Sequence, residues 1–306
     1  MSQITTSQYA SDLLPLVKNW FGIAYPNIPT YYDKIAAVEQ ADARSYQVDA
    51  LAIGFNLLQA KDEGTSITYD FSKQGHTPIY RHATYALGFQ ITMEMMSDGD
   101  AMRNAKKFTE MLKYSGMQTK EVLMAAVYNN AFDSNYTMTN GDGVQLVSSS
   151  HPVVASTQSN LITGGSVDIS EAAIEQVLID IKNMRNARGI RIGAMPQKLL
   201  VSVSDEATAN RIVYSDLRVA TADNDLNYIR ANNKLPGGIV ANPFFTDSDA
   251  WFVTTNVPDG VKYLNRQDLT LDDSNDFETK SGKFSVIMRC SQGWTDWRGV
   301  VGSAGA

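Results

Sequence analysis

The sequence predicts an α+β fold, and three features carry that prediction. A helical repeat runs from about residue 98 to about residue 131, far longer than any other helical pattern in the chain. Strand-like segments collect before it and again in the last third of the sequence. Helices and strands are thus segregated, without the strict βα alternation of a doubly wound parallel sheet.

At the N-terminus, Leu13, Leu14, Val17 and the Trp20-Phe21 pair recur at helical spacing, and Gly22, Pro26 and Pro29 end the pattern. Such an apolar stripe either packs on its own domain or serves as an arm towards a neighbouring subunit. Residues 61–95 then change character. They are rich in Thr, Tyr, Ile and Phe, with Ile67, Tyr69 and Phe71 in period-two alternation. The turn-forming cluster "SKQGHTP" in the middle predicts a long two-stranded ribbon closed there, with Lys73 and His76 near its tip. A lone hairpin is marginal in water. The ribbon is therefore expected to lie on another chain.

Ser97 and Asp98 are placed to cap the long helix, in which Met102, Ala105, Phe108, Leu112, Thr119, Leu123, Ala126 and Asn130 form the apolar stripe. Gly116 is expected to bend or interrupt it. A loop rich in Asn, Gly, Asp and Ser follows. Next come a helix over residues 170–188 ended by Gly189, a buried strand at 198–203 and a short helix at 205–214. Residues 220–238 read as an exposed loop. Strands are predicted at 239–240, 250–254, 261–264 and 284–290, with a solvated acidic turn at 272–278. The chain closes on "GWTDWRGVVGSAGA". Two tryptophans so near a terminus, Trp294 and Trp297, point to an anchored last segment, because Trp is costly to leave in water. A three-residue step along a strand changes face. One indole is thus expected in the core and the other towards a neighbour or groove.

Composition narrows the function. With 43% hydrophobic and 19% charged residues the chain reads as globular. A formal charge of -7 leaves no basic field to grip nucleic acid. The single Cys290 excludes an intramolecular disulfide and is expected to pack as a small hydrophobe. No basic segment precedes an apolar run at the start, and no stretch reaches the ~18–20 apolar residues of a membrane span. A soluble protein made in the cytosol is expected.

Candidate chemistry is sparse. His76, His82 and His151 are scattered, without partners at zinc spacing, although His76 and His82 could meet across a hairpin. Ser149-Ser150-His151 invites a hydrolase reading, but no G-x-S-x-G elbow accompanies it. Gly141-Asp142-Gly143 neither follows a strand nor opens a helix, so it is no phosphate cradle. No catalytic residue, cofactor site or metal site is expected, and a chain of this length without chemistry is expected to assemble.

The same segments, in order, resemble the major capsid proteins of tailed bacteriophages with the Hong Kong 97-type fold. The resemblance rests on "YALGFQITMEMMSDGD", "NNAFDSNYTMTNGDGVQLVSSSHP", "SEAAIEQVLIDIKNMRNARG", "ATADNDLNYI", "NPFFTDSDAWFVTTNVPDGVKYLNRQ" and "GWTDWRGVVGS", and covers nearly the whole chain. It implies an N-arm over residues 1–60, an extended loop over 61–92, a peripheral domain over 93–145 and 256–306 with the long helix as spine, and an axial domain over 146–255. It further implies pentamers and hexamers of an icosahedral head enclosing double-stranded DNA without specific binding, in a virion made in a bacterial host. Portal and decoration proteins would be partners. With the spine starting near residue 98, no room is left for a built-in scaffolding segment, and a separate scaffold protein is expected. On this reading Leu13, Leu14, Val17, Trp20, Phe21, Lys73 and His76 make intersubunit contacts, while Trp294 and Trp297 anchor the last strand. Some relatives crosslink a loop lysine; Lys73 lies near the expected tip but no acidic catalyst matches it. The alternative from another class is an encapsulin-like shell that packages enzyme cargo. Fold alone does not separate the two.

Overall fold

The computed structural model describes residues 29–92, 101–154, 156–217, 225–276 and 281–306. The N-terminal stripe of Leu13, Leu14, Val17, Trp20 and Phe21, and the expected caps Ser97 and Asp98, lie outside the described residues.

In chain order, a one-turn helix α1 (Tyr32–Ile35) leads into β1 (Ala37–Gln40) and β2 (Tyr46–Val48). The ribbon strands β3 (Ala52–Ile53) and β4 (Lys73–Gln74) follow, then β5 (Ile79–Arg81), β6 (Ala83–Ile91) and the long helix α2 (Ala101–Asn129). Beyond it stand β7 (His151–Pro152), β8 (Thr157–Gln158), α3 (Glu171–Asn183), β9 (Pro196–Val201), α4 (Glu206–Tyr214) and α5 (Tyr228–Ala231). The last third holds β10 (Ile239–Ala241), β11 (Trp251–Thr255), β12 (Val261–Asp276), β13 (Ser281–Trp294), a 3-10 turn at Trp297–Gly299 and β14 (Val300–Ser303).

Two four-stranded sheets organise these elements. The first runs β1-β12-β13-β6, with β1 parallel to β12 and the other pairs antiparallel. The second runs β10-β9-β11-β14, with β10 parallel to β9. Residues 256–306, expected to stay with the long helix, divide between them: β12 and β13 stand in the first sheet, β14 in the second.

Helix α2 is continuous over 29 residues, about 44 Å at 1.5 Å per residue. Gly116 does not interrupt it. A Cβ there would sit 2.7 Å from the Cδ1 of Leu269, so the glycine lets β12 approach the helix. The first half of the stripe buries Ala105, Thr109 and Leu112, as a 3.6-residue period requires, while Phe108 is partly exposed against Phe89. In the second half the buried apolar positions are Met124, Ala125, Val127 and Tyr128, not Leu123, Ala126 and Asn130. That end of the helix turns its face to the second sheet, where Tyr128 meets Phe252 edge-on at 5.2 Å. Glu121 is also buried; its carboxylate accepts the amides of Tyr31 and Tyr32 at 3.0 and 2.8 Å and so satisfies the start of α1. Burial raises the Glu121 pKa, and those two hydrogen bonds oppose the rise.

A second core lies under the second sheet. Ala173, Ile174, Val177, Leu178 and Ile181 of α3 pack with Leu199, Val201, Trp251 and Val253. Ser170 caps α3 by accepting the amide of Ala173. The helix stops at Asn183, ahead of the expected Gly189, which instead turns a tight loop at φ +86°. The acidic segment is not a free turn either: Asp272 and Asp273 pair with Ser285 and Phe284 in β12–β13, and Phe277 and Glu278 lie outside the described residues.

The ribbon departs most from expectation. β3 pairs with β4 and β2 with β5, so its two limbs come from both sides of residue 61. The turn lies at residues 62–65, where Thr65 donates to the Asp62 carbonyl at 3.2 Å and Gly64 has φ +81°. "SKQGHTP" is not the tip. Its glycine is there because Gly75 donates to the Leu51 carbonyl at 2.7 Å, and a Cβ would crowd that oxygen at 3.0 Å. Lys73 and His76 are exposed at the root of the ribbon, not at its end.

The crossing from β13 to β14 depends on another close approach. A Cβ on Gly299 would fall 2.5 Å from the Cα of Gly260, backbone that cannot swing aside. Gly299→Ala is expected to destabilise unassembled subunits by about 1–3 kcal/mol. Urea unfolding within ~0.5 kcal/mol of wild type would refute the close contact.

Candidate assembly interface

The C-terminal turn is buried. Trp294 ends β13 and Trp297 opens the 3-10 turn, and both are buried, at 3% and 5% exposure. The expected split, one indole in the core and the other towards a neighbour or groove, does not hold: neither is exposed and both line one cleft beside the ribbon root. The strand has ended at Trp294, so strand alternation does not apply to Trp297. Trp297 stacks on the His151 ring at 4.3 Å and 8°, and the Arg298 guanidinium lies 4.3 Å from its centroid. Asn160, 1% exposed, donates through its amide to the carbonyls of Leu146, Val300 and Trp297 at 2.7, 2.9 and 3.1 Å. Arg298 donates from Nε to the Arg185 carbonyl at 2.8 Å and from Nη1 to Asp296 at 3.1 Å.

His151 is spoken for. Its Nδ1 lies 2.6 Å from Asp142 and its Nε2 3.0 Å from the Asn160 side-chain oxygen. Both ring nitrogens face acceptors and neither faces a hydroxyl, so the Ser149-Ser150-His151 run forms no nucleophile–base pair. Asp142 of the Gly141-Asp142-Gly143 run serves as this acceptor. His82 is buried with Nδ1 3.0 Å from the Ser291 hydroxyl, whereas His76 is exposed, and the two do not meet across a hairpin. Burial, then the charges of Arg266 and Arg289, lower the His82 pKa. Cys290 is buried within 1% exposure, and burial raises its thiol pKa. Among the described residues no three potential metal ligands cluster, and no helix is long and apolar enough to cross a membrane.

At the root of the ribbon sits a buried cation. Lys262 Nζ lies 2.6 Å from Asp259, 3.0 Å from Asp49 and 3.4 Å from Glu39. Thr295 extends the network, donating to Asp49 at 3.2 Å and meeting the Tyr80 hydroxyl at 2.8 Å. Asp49 experiences an upward push from burial, but hydrogen bonds from Gln47, Lys262 and Thr295 with the Lys262 charge leave its pKa lowered. Burial opposes the charge on Lys262, yet Asp259 and Asp49 outweigh it and raise that pKa. Lys262 is thus held protonated, unlike the neutral amine a crosslinking nucleophile needs. Clefts of about 390 and 450 Å³ flank the root, and Leu51, Ile53, Ala187 and Arg298 line both.

Beyond the root the ribbon exposes its apolar side chains. Leu58 is 101% exposed and Tyr69 82%, beside Phe55, Leu57, Ile67 and Phe71, all more than 60% exposed. Six large apolar groups on one limb pair are more than scattered surface hydrophobics. Sequence alternation had marked Ile67, Tyr69 and Phe71; Phe55, Leu57 and Leu58 carry the same signal on the limb that was assigned to the arm.

Comparison with known proteins identifies the family and the fold. The family described as "Phage capsid protein" matches residues 77–303. Among solved structures, the capsid of Myoviridae phage XM1 superposes with a TM-score of 0.55 at 8% identity, covering 93% of this chain and 95% of that one. Mycobacterium phage Che8 gives 0.51 at 14% identity over 93% and 95%, and the capsid of an empty GTA particle 0.54 at 10% over 91% of each chain. Identities this low show the fold alone, which is the tailed-phage capsid fold. Alanine–tRNA ligases of Mycobacterium avium and Mycolicibacterium paratuberculosis are 28% identical over 101 residues, 33% of this chain. The chain spans 11% of the length of these curated relatives.

Two outcomes are expected from the turn and the root. Trp297→Ala should cost roughly 3–5 kcal/mol in urea unfolding of unassembled subunits, as buried aromatic truncations do; a change within ~0.5 kcal/mol would mean that the turn is a loose tail. Asp49, with its folded pKa depressed, contributes stability above the unfolded carboxylate value of about 3.9, and this is lost as pH falls through the folded value. The drop in wild-type stability on acidification from neutral pH to below pH 4 should therefore shrink in Asp49→Asn. Parallel pH profiles would sink the assignment.

Proposed function

Because the chain belongs to the phage capsid protein family, we propose that this major capsid protein forms the pentamers and hexamers of an icosahedral head enclosing double-stranded DNA. The observation that carries the proposal is the ribbon: six large apolar side chains held out on paired limbs, rooted by a buried ion cluster. A monomer gains nothing from that arrangement. A shell does, since identical subunits repeat one contact around each symmetry axis. The formal charge of -7 suits a wall that contains a polyanion without binding it. A separate scaffold and a portal complete the proposed assembly, in a virion built in the cytoplasm of a bacterial host. The chain acts as a structural protein without catalysis, in keeping with its family match to phage capsid proteins. A compartment for enzyme cargo is disfavoured, since the family match is to phage capsid proteins.

Leu58→Asp tests the ribbon. Full exposure of Leu58 means that subunit stability should stay within ~0.5 kcal/mol of wild type. Shell formation, followed by light scattering and negative-stain microscopy, should be lost or strongly reduced. Normal shells from this variant would remove the ribbon from the interface.

A further inference from the structure

Beyond its root, and among the described residues, the ribbon is tied back to its own subunit at one place. Arg188 Nη1 lies 3.1 and 3.2 Å from the two oxygens of Asp70, and Nη2 donates to the Phe71 carbonyl. Asp70 is set to receive it. One of its oxygens accepts the Asn56 amide and the other the Phe71 amide, each at 2.8 Å, so the carboxylate also clamps the two limbs of the ribbon together. Ser72 also donates to the Ile53 carbonyl at 2.8 Å within the ribbon's own root; beyond the ribbon's strands and among the described residues, the hydrogen bonds of residues 54–72 to the rest of the subunit are those to Arg188.

Arg188 is presented by a stiff loop. Asn186 accepts the amides of Arg188 and Ile190 on its side chain, at 2.9 and 3.0 Å, and donates its own amide to the Ile190 carbonyl at 2.7 Å. Arg298 holds the start of the loop through the Arg185 carbonyl. The ribbon, by contrast, is not packed down. Clefts run along both sides of its root, and its apolar side chains point away from any core. A single cation thus holds, by polar contacts alone, a segment whose apolar groups lack burial. Partly exposed ion pairs contribute little, and the Nε of Arg188 is buried without a partner, which weakens the hold further.

We propose that Arg188 latches the ribbon onto its own subunit, and that a subunit enters the shell by exchanging this contact for one with its neighbour. The inference rests on the ribbon being the intersubunit element. A latched subunit is not competent to dock, so the observed assembly threshold is the intrinsic one divided by the unlatched fraction. The latch is weak enough to yield to burial of the six apolar side chains, and strong enough to slow premature association.

The test uses full-length subunits carrying Arg188→Ala, with Arg188→Gln as a second variant that keeps the length of the side chain. In unassembled protein, amide hydrogen exchange across residues 50–75 should rise several-fold relative to wild type. The threshold concentration for shells should fall, by roughly two- to tenfold for an ion pair of this exposure. Unchanged exchange would overturn the latch. Raised exchange with an equal or higher threshold would overturn it too, because Arg188 would then serve the assembled state or neither state. Leu58→Asp run alongside separates the two ideas. If it forms shells at the wild-type threshold, the ribbon reading itself has failed; if it does not, a failed Arg188 result condemns the latch alone.

Discussion

The crossing between the two sheets depends on one buried amide. Asn160 stands where the chain passes from one sheet to the other, and its side chain donates to carbonyls at Leu146, Trp297 and Val300 while accepting from the Ser148 amide. A crossing between sheets interrupts both ladders between Trp294 and Val300, so carbonyls there need partners other than strand neighbours in a buried place. Unpaired buried carbonyls would each cost on the order of 1–3 kcal/mol. The Asn160 amide removes that penalty, and the 3-10 turn of Trp297–Gly299 can then lie flat against Gly260. With the turn fixed, Trp297 reaches His151, and Arg298 reaches Arg185. The last strand follows, its Ser303 hydroxyl donating to Val167 at 2.7 Å. The terminus is a joint between two bodies of structure.

That joint explains how a rigid frame can carry an unburied limb. Arg298 fixes the loop before Arg188, and Thr295 reaches Asp49 at the ribbon root. Both ends of the ribbon's support are thus fastened to the same C-terminal turn. The ion cluster on Lys262 adds direction more than strength, since a buried charge must recover its lost hydration before it contributes anything. Three carboxylates at 2.6–3.4 Å around one ammonium satisfy that requirement from three separate segments, β1, the approach to the ribbon and the turn before β12.

How much of this was legible in the sequence follows the range of the forces involved. Helix α2 was legible because its signal is local: Ala105 and Leu112 fall on the period, and the helix ends near Asn129 as expected. The turn of its face towards Met124, Val127 and Tyr128 was not, since it answers to Phe252, over a hundred residues away. The ribbon was visible through Ile67, Tyr69 and Phe71 but misplaced. Composition cannot distinguish a glycine needed for a turn, like Gly64, from one needed for close approach, like Gly75. Trp294 and Trp297 announced an anchor, but their orientation depended on where β13 stops. Asn160, Lys262 and Arg188 carry no local signature at all. An asparagine in a polar loop, a lysine in a strand and an arginine after a helix become particular only through partners far along the chain.

The distribution of polar and apolar groups then gives the last step. In a self-sufficient domain, apolar side chains fill the interior and charges ride the surface. Here the ribbon reverses both: its root buries Lys262 among acids, and its outer limbs expose Phe55, Leu58 and Tyr69. Each half has a distinct physical role. Burial of charge is selective in geometry and weak in net energy, which suits setting a direction. Apolar burial is strong and indifferent to exact partner geometry, which suits the docking on a neighbouring subunit proposed above. A limb that docks in this way needs an exact root and a tolerant far end, and the sequence divides its side chains accordingly.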